Sequence, residues 1–263
     1  MQAFDELVSV IERLRKPGGC SWDREQTHES LKPCLIEECY ELIDAINSTD
    51  QANLKEELGD VLLQVLMHAT IAAERDSFNL TDVIVAVKNK MIERHPHVFN
   101  TKTTLTSQDV THQWESIKAS TRTQSDIFES IPSHLPELMK AKKIQKKVAQ
   151  VGFDWPTIPP VIEKIKEEID ELTAELNQSQ PNTHDITGEL GDILFSVVNL
   201  CRKLNVDPEQ ALSQTNETFK ARWHQLNTIA KNNSITINEL STNELENLWA
   251  RAKETTNLSK KTS

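Results

Sequence analysis

Two acidic signatures, each repeated in the same order, constrain this chain more than anything else in it. The first half carries Glu37-Glu38-Cys39-Tyr40-Glu41, a polar stretch, and then Glu57-Leu58-Gly59-Asp60. The second half carries Glu167-Glu168-Ile169-Asp170-Glu171, a polar stretch, and then Glu189-Leu190-Gly191-Asp192. The apolar continuations match too, Val61-Leu62-Leu63 against Ile193-Leu194-Phe195. A pattern that recurs with its flanks marks an internal duplication.

In the second copy Ile162, Ile165, Ile169, Leu172 and Leu176 recur at steps of three and four, the spacing of one helical face. Leu190, Ile193, Leu194, Val197 and Val198 do the same beyond a polar loop from Asn177 to His184. Glu168, Glu171, Glu189 and Asp192 each stand immediately before a stripe position. Each pair is three residues apart and shares one side of its helix. Helices that fold back along their stripes would therefore set both acidic pairs beside one seam.

Four like charges beside a seam must protonate or be neutralised. No Lys or Arg occupies a matching position on the second helix. A hard divalent cation answers the problem, because Mg²⁺ prefers oxygen ligands and keeps waters and phosphates in its shell. Such an ion neutralises a polyphosphate and activates water. Acidic helix faces are usually just solvated, but a solvated face gives no reason for the whole arrangement to occur twice. The chain has six glycines, and Gly59 and Gly191 lie inside these helices, where Gly costs about 1 kcal/mol relative to Ala. Their placement predicts close backbone approach to a partner helix or a ligand.

The 263 residues allow two domains, and scarce Gly with long helical patterns predicts an all-α fold. A net charge of −11 argues against nucleic acid or an anionic membrane surface as a partner. Cys20, Cys34, Cys39 and Cys201 show no paired spacing, and no signal peptide or membrane span is read, so a reduced cytoplasmic setting is expected.

In chain order, helices are predicted over residues 3–15, 29–46, 53–75, 79–95 and 107–118 in the first half. Cys20 to Asp23 reads as a loop, Thr27 or Ser30 as the cap of the second helix, and Thr81 as the cap of the fourth. Lys90 and Arg94 lie four apart on one face, and His95 and His97 read as a helix end rather than as ligands. Ser120 to Pro136 is the expected boundary, giving domains 1–130 and 131–263. Beyond it, 138–148 carries five lysines on what reads as a solvated face. Gly152-Phe153-Asp154-Trp155 echoes Trp22-Asp23. Helices over 207–232 and 242–253 hold Arg222 and Trp249, and the tail from Glu254 is expected to fray. Lys90 and Arg94 align with Thr218 and Arg222.

The doubled EExxE and ExxD, with Lys143-Ile144-Gln145-Lys146-Lys147 leading into Val151-Gly152-Phe153-Asp154-Trp155, resembles the MazG nucleoside triphosphate pyrophosphohydrolases. Arg94-His95-Pro96-His97-Val98-Phe99 and Cys20-x-Trp22-Asp23 resemble that family's first half. The resemblance implies tandem all-α pyrophosphatase domains, a dimer, and Mg²⁺ between the acidic helices. It also implies hydrolysis of nucleoside triphosphates between the α and β phosphates to monophosphate and pyrophosphate. Carried over, the second-half metal ligands are Glu168, Glu171, Glu189 and Asp192; Lys164 and Glu167 lie near the nucleotide, Arg222 at the phosphates and Trp249 at the base or sugar. The first-half set is Glu38, Glu41, Glu57 and Asp60, with Lys90, Arg94 and Trp114. Thr218 stands where the family has Lys.

Glu38 or Glu41, and Glu168 or Glu171, are the groups that would orient or deprotonate an attacking water. No Ser, Cys or His is placed as a nucleophile. Family precedent puts the second half first as the active site, whereas the intact basic pair speaks for the first half. Two rivals stand beside this reading: a phosphohydrolase restricted to deoxyuridine or deoxycytidine nucleotides, and a non-catalytic helical dimerisation or regulatory protein with vestigial sites. A di-iron carboxylate bundle needs Glu-x-x-His on two helices, and here Glu41 and Glu171 occupy the His positions.

Overall fold

The computed structural model describes residues 2–100, 104–107, 109, 110, 113, 114, 117 and 126–259. Its described elements are helices, with no strand among them. None of these helices is long and apolar enough to cross a membrane. The chain divides into two compact units, Met1–Thr123 and Gln124–Ser263. Of the helix expected over 107–118, residues 108, 111, 112, 115, 116 and 118 lie outside the described residues, as do 120–125 of the boundary segment.

The first unit holds α1 (Gln2–Arg15), α2 (Ser21–Glu25), α3 (Lys32–Ser48), α4 (Gln51–Ala73), α5 (Leu80–Arg94) and the single turn α6 (Pro96–Phe99). Ile11, Leu31, Leu66, Met67 and Ile71 form its buried core, with Phe4, Leu7 and Val8 of α1 packed against it. Gly19 closes the turn after α1; a Cβ there would lie 2.3 Å from the Leu14 carbonyl oxygen. Where a loop is expected at Cys20–Asp23, a short helix forms instead. Arg15 explains it: its buried guanidinium binds the Asp23 and Gln26 carbonyls and pairs with Glu74 at 2.7 Å. That tie joins residues far apart in sequence and leaves no local signal.

α3 starts later than its periodicity suggests. Thr27 and Ser30 exchange hydrogen bonds, Thr27 N–H to Ser30 Oγ at 2.9 Å and Ser30 N–H to Thr27 Oγ1 at 3.1 Å, and build a turn ahead of the helix rather than a cap on it. α4 follows at once, with Asp50 accepting from the backbone of Ala52 and Asn53. The cap of α5 is Asn79, in a reciprocal capping box with Asp82, and not Thr81.

The second unit holds α7 (Glu137–Gln150), α8 (Pro159–Leu176), α9 (Thr183–Lys203), α10 (Pro208–Asn232), a 3₁₀ turn (Ile237–Glu239) and α11 (Thr242–Ser259). α8 and α9 form a helical hairpin, α7 packs across α9, and α10 pairs with α11 around Leu226, Ala230, Leu248 and Ala252. α11 continues past its expected end because no Gly or Pro interrupts residues 254–259. One α7 lysine is not simply solvated: Lys142 reaches Asp207 at 3.0 Å and the Val206 carbonyl at 3.2 Å, tying α7 to the start of α10.

The register of the α8–α9 seam differs from the expected stripe. Val161 and Glu168 are buried on α8, with Ile165 and Leu172 half-buried beside them. Ile162, Ile169 and Leu176 face outward, as do Leu190, Leu194 and Val197 of α9. A helix with two adjacent apolar ridges has the same periodicity whichever ridge turns inward. The consequence is chemical, because Glu168 lies in the seam and not merely at its margin. In the first hairpin Ile36, Tyr40 and Ile43 of α3 and Leu58 and Val65 of α4 are likewise exposed.

Candidate metal and substrate site

In the second unit one carboxylate oxygen each from Glu168, Glu189 and Asp192 lies within 4.8 Å of the other two. Glu168 is only 5% exposed. Glu189 Oε2 is buried and accepts no hydrogen bond. Glu171, one turn beyond Glu168, has its carboxyl pushed up by burial first and then by the charge of Glu168, with Glu189 adding to it. The i, i+3 spacing on each helix and the fold-back of the hairpin suffice to bring these groups together.

The protein supplies part of the neutralisation itself, from α8 and not from α9. Lys164, one turn before Glu168, binds Glu168 Oε1 at 2.9 Å and Glu167 Oε1 at 2.7 Å. Its hydrogen bonds to Glu167 and Glu168 hold the ammonium well above its ordinary pKa. One Lys⁺ beside Glu168, Glu171, Glu189 and Asp192 still leaves an excess of negative charge. Together with the bare, buried Glu189 oxygen, this donor set fits a hard divalent cation.

The first unit assembles a related cluster from Glu38, Glu41 and Glu57, again with oxygens within 4.8 Å of one another. The Glu38 carboxyl is pushed up by burial, then by Asp60 and Glu41, against a hydrogen bond from Gln64. That of Glu57 is raised by burial, then by Glu41 and Asp60. Cys34 stands four residues before Glu38, where the second unit has Lys164. No described cation pairs with Glu38, Glu41, Glu57 or Asp60.

Other expected site residues are placed as follows. The Arg94 guanidinium lies 5.2 Å from the centre of the Trp114 ring, a cation–π contact, and neither Lys90 nor Arg94 pairs with a described carboxylate. Arg222 Nε is buried and has no acceptor. Trp249 packs on Phe219, ring centres 4.9 Å apart, at the edge of the α10–α11 core. His95 Nδ1 is bonded to the Met91 carbonyl and His97 Nδ1 to Gln113. A Cβ at Gly59 or Gly191 would meet nothing within 4 Å, so among the described residues no helix approaches them; of the two approaches expected, that of a helix of this chain is not found.

Beside the second cluster the structure opens a cavity of about 490 Å³ that composition and spacing gave no hint of. Its near end is Lys164, Glu168 and Asp192. The aromatic walls come from Phe153, Trp155 and Phe195, and Gln145 and Asn199 supply polar groups. Gly152, at φ +90, ends α7 with the Phe153 N–H bonded to the Val148 carbonyl and its own N–H to Ala149. The chain after it is pinned by Asp154, which receives Arg202 at 2.6 Å and Lys203 at 2.7 Å.

The model of the MazG nucleotide pyrophosphohydrolase domain matches twice, over residues 26–99 and 158–226. The two matches coincide with the two acidic hairpins. The chain belongs to the MazG family. It is 46% identical over 252 residues to the nucleoside triphosphate pyrophosphohydrolase/pyrophosphatase MazG of Thermotoga maritima, covering 95% of each chain. It is 39% identical over 257 residues to a nucleoside triphosphate pyrophosphohydrolase of Escherichia coli K12, covering 96% of this chain and 98% of that one. Over 254 residues it is 43% identical to the uncharacterised protein YabN of Bacillus subtilis, of which it spans 52%. The matched MazG segments include both acidic clusters, Lys90, Arg94, Lys164 and Arg222, and leave out Trp114, Trp249 and the cavity residues Gln145 to Trp155.

Proposed function

We propose that the protein hydrolyses nucleoside triphosphates between the α and β phosphates, giving the monophosphate and pyrophosphate, at the acidic cluster of the second unit. The carrying observation is the convergence of Glu168, Glu189 and Asp192 oxygens within 4.8 Å, with Glu189 Oε2 buried and bare. Glu168, Glu189 and Asp192 would hold Mg²⁺, with Glu171 completing the set. Bound there, the ion would neutralise phosphate oxygens and the charge growing on the departing pyrophosphate.

The chain's own groups do the rest. Lys164, fixed by Glu167 and Glu168, presents an ammonium to the phosphates from the rim of the cavity. Glu171, whose carboxyl is pushed up by burial and by Glu168, is suited to orient water and take its proton. Arg222 has a guanidinium nitrogen without an acceptor and is assigned to the phosphates, and Trp249 to the base or sugar. Glu38, Glu41, Glu57 and Asp60, with Lys90, Arg94 and Trp114, form the corresponding set in the first unit. Its cluster lacks a lysine like Lys164, which favours the second unit. The exposed apolar ridges of both hairpins support assembly as a homodimer, and four free cysteines suit a reducing cytoplasm.

The reaction is tested by product analysis. Purified protein with ATP and Mg²⁺ is expected to yield AMP and pyrophosphate, and to yield neither in EDTA. ADP and phosphate as the products would refute the cleavage position.

A further inference from the structure

We infer that the cavity walled by Phe153, Trp155 and Phe195 receives the base of the nucleotide, and that Gln145 reads a hydrogen-bond donor on the base edge. The inference rests on the second-unit site proposed above, gives the base to this cavity and leaves the sugar to Trp249, and adds a subsite and a specificity-determining residue to that site.

Gln145 is 4% exposed. Its Nε2 is committed to the Phe195 carbonyl at 2.8 Å, which fixes the orientation of the amide. Its Oε1 is buried and has no donor, although it lines the cavity. A buried amide oxygen without a partner costs about 1–3 kcal/mol, and a ligand N–H would remove that cost. Asn199, 8% exposed on the same wall, turns its Oδ1 to Arg202 at 2.7 and 3.0 Å. What it has left to offer is the amide N–H₂, a donor. The wall thus presents one acceptor and one donor, the complement of a nucleobase edge.

The remaining surface suits a flat aromatic ligand. Phe153 is 80% exposed at the cavity mouth, and Trp155 and Phe195 are both partly uncovered. Base–aromatic stacking contributes about 1–3 kcal/mol per base and tolerates any base. The cavity is continuous with Lys164, Glu168 and Asp192. A triphosphate held at those groups therefore leaves its nucleoside at the cavity mouth.

The test uses the full chain, Mg²⁺ and two nucleotides that cannot be cut between the α and β phosphates: α,β-methylene ATP and its purine riboside counterpart, which lacks the 6-amino donor. Affinities are read by calorimetry. Wild type is expected to bind the adenine analogue roughly tenfold tighter, the worth of one hydrogen bond to a buried acceptor. Gln145→Leu is expected to bind both equally, with the adenine analogue weakened to no better than the purine riboside counterpart. Phe153→Ser, at a side chain too exposed to matter for folding, is expected to weaken both about tenfold, the low end of a lost stack. Equal wild-type affinities, a preference that survives Gln145→Leu, or unchanged affinities in Phe153→Ser would each overturn the assignment. Pyrophosphate release is assayed separately. Intact base discrimination without hydrolysis would discard the proposed reaction and keep the subsite, whereas hydrolysis without discrimination would do the reverse.

Discussion

At the scale of single residues, Glu189 and Gly191 carry opposite signatures of the same site. Glu189 holds a buried oxygen with no donor, among like charges. Glu189→Gln is expected to stabilise the metal-free protein by about 1 kcal/mol, since it removes a repelling charge and supplies a donor. The same change is expected to lower Mg²⁺-dependent turnover at least roughly 100-fold. Thermal unfolding in EDTA and a pyrophosphate assay check the two halves of that statement, and a variant that is both destabilised and active would contradict it. Gly191 sits within α9 with open space where a Cβ would be. Gly191→Ala should therefore stabilise the fold by about 0.5–1 kcal/mol. Urea unfolding reads this directly, and a loss of stability would mean that something does pack against α9 at that point.

At the scale of elements, the segment between α7 and α8 shows what can and cannot be read from sequence. The two acidic hairpins were legible because their spacing is local: carboxylates at i and i+3 and apolar residues at i, i+3 and i+4 declare the helix and its acidic side. Which ridge of α8 turns inward was not legible, because Val161, Ile165, Glu168 and Leu172 step by three and four just as Ile162, Ile165, Ile169 and Leu172 do. The cavity was invisible for another reason. It depends on Gly152 reversing the chain and on Asp154 finding Arg202 and Lys203 from another helix. Burial alone would push the Asp154 carboxyl up, but hydrogen bonds from Arg202 and Lys203 outweigh it and hold the group below its ordinary value. A depressed carboxylate stabilises the fold above its unfolded pKa of about 3.9 and loses that contribution as pH falls through the folded value. Asp154→Ala is accordingly expected to cost about 1–2 kcal/mol at pH 7. Urea midpoints of wild type and variant should converge in acid, and a gap that stays constant with pH would assign the loss to packing instead.

At the scale of the whole molecule, the two units carry one solution with different local charge. The raised carboxyls of Glu38, Glu57 and Glu171 bind protons more tightly in the folded protein than in the unfolded chain. Their ionisation therefore costs stability as pH rises through the folded values, and a bound cation removes that cost. The rise in melting temperature caused by Mg²⁺ is expected to be largest near pH 8 and to shrink as protons compete for the same oxygens in acid. A shift in melting temperature that does not vary with pH would point away from these carboxylates.

The central claim is that a cation held in the α8–α9 seam, in the second unit, is where triphosphates are cut. The most direct measurement is pyrophosphate release from ATP with Mg²⁺ by Glu168→Ala and Glu38→Ala side by side. Glu168→Ala is expected to lose at least roughly 100-fold in kcat/KM, while Glu38→Ala keeps most of the wild-type rate. Full activity in Glu168→Ala would contradict the account.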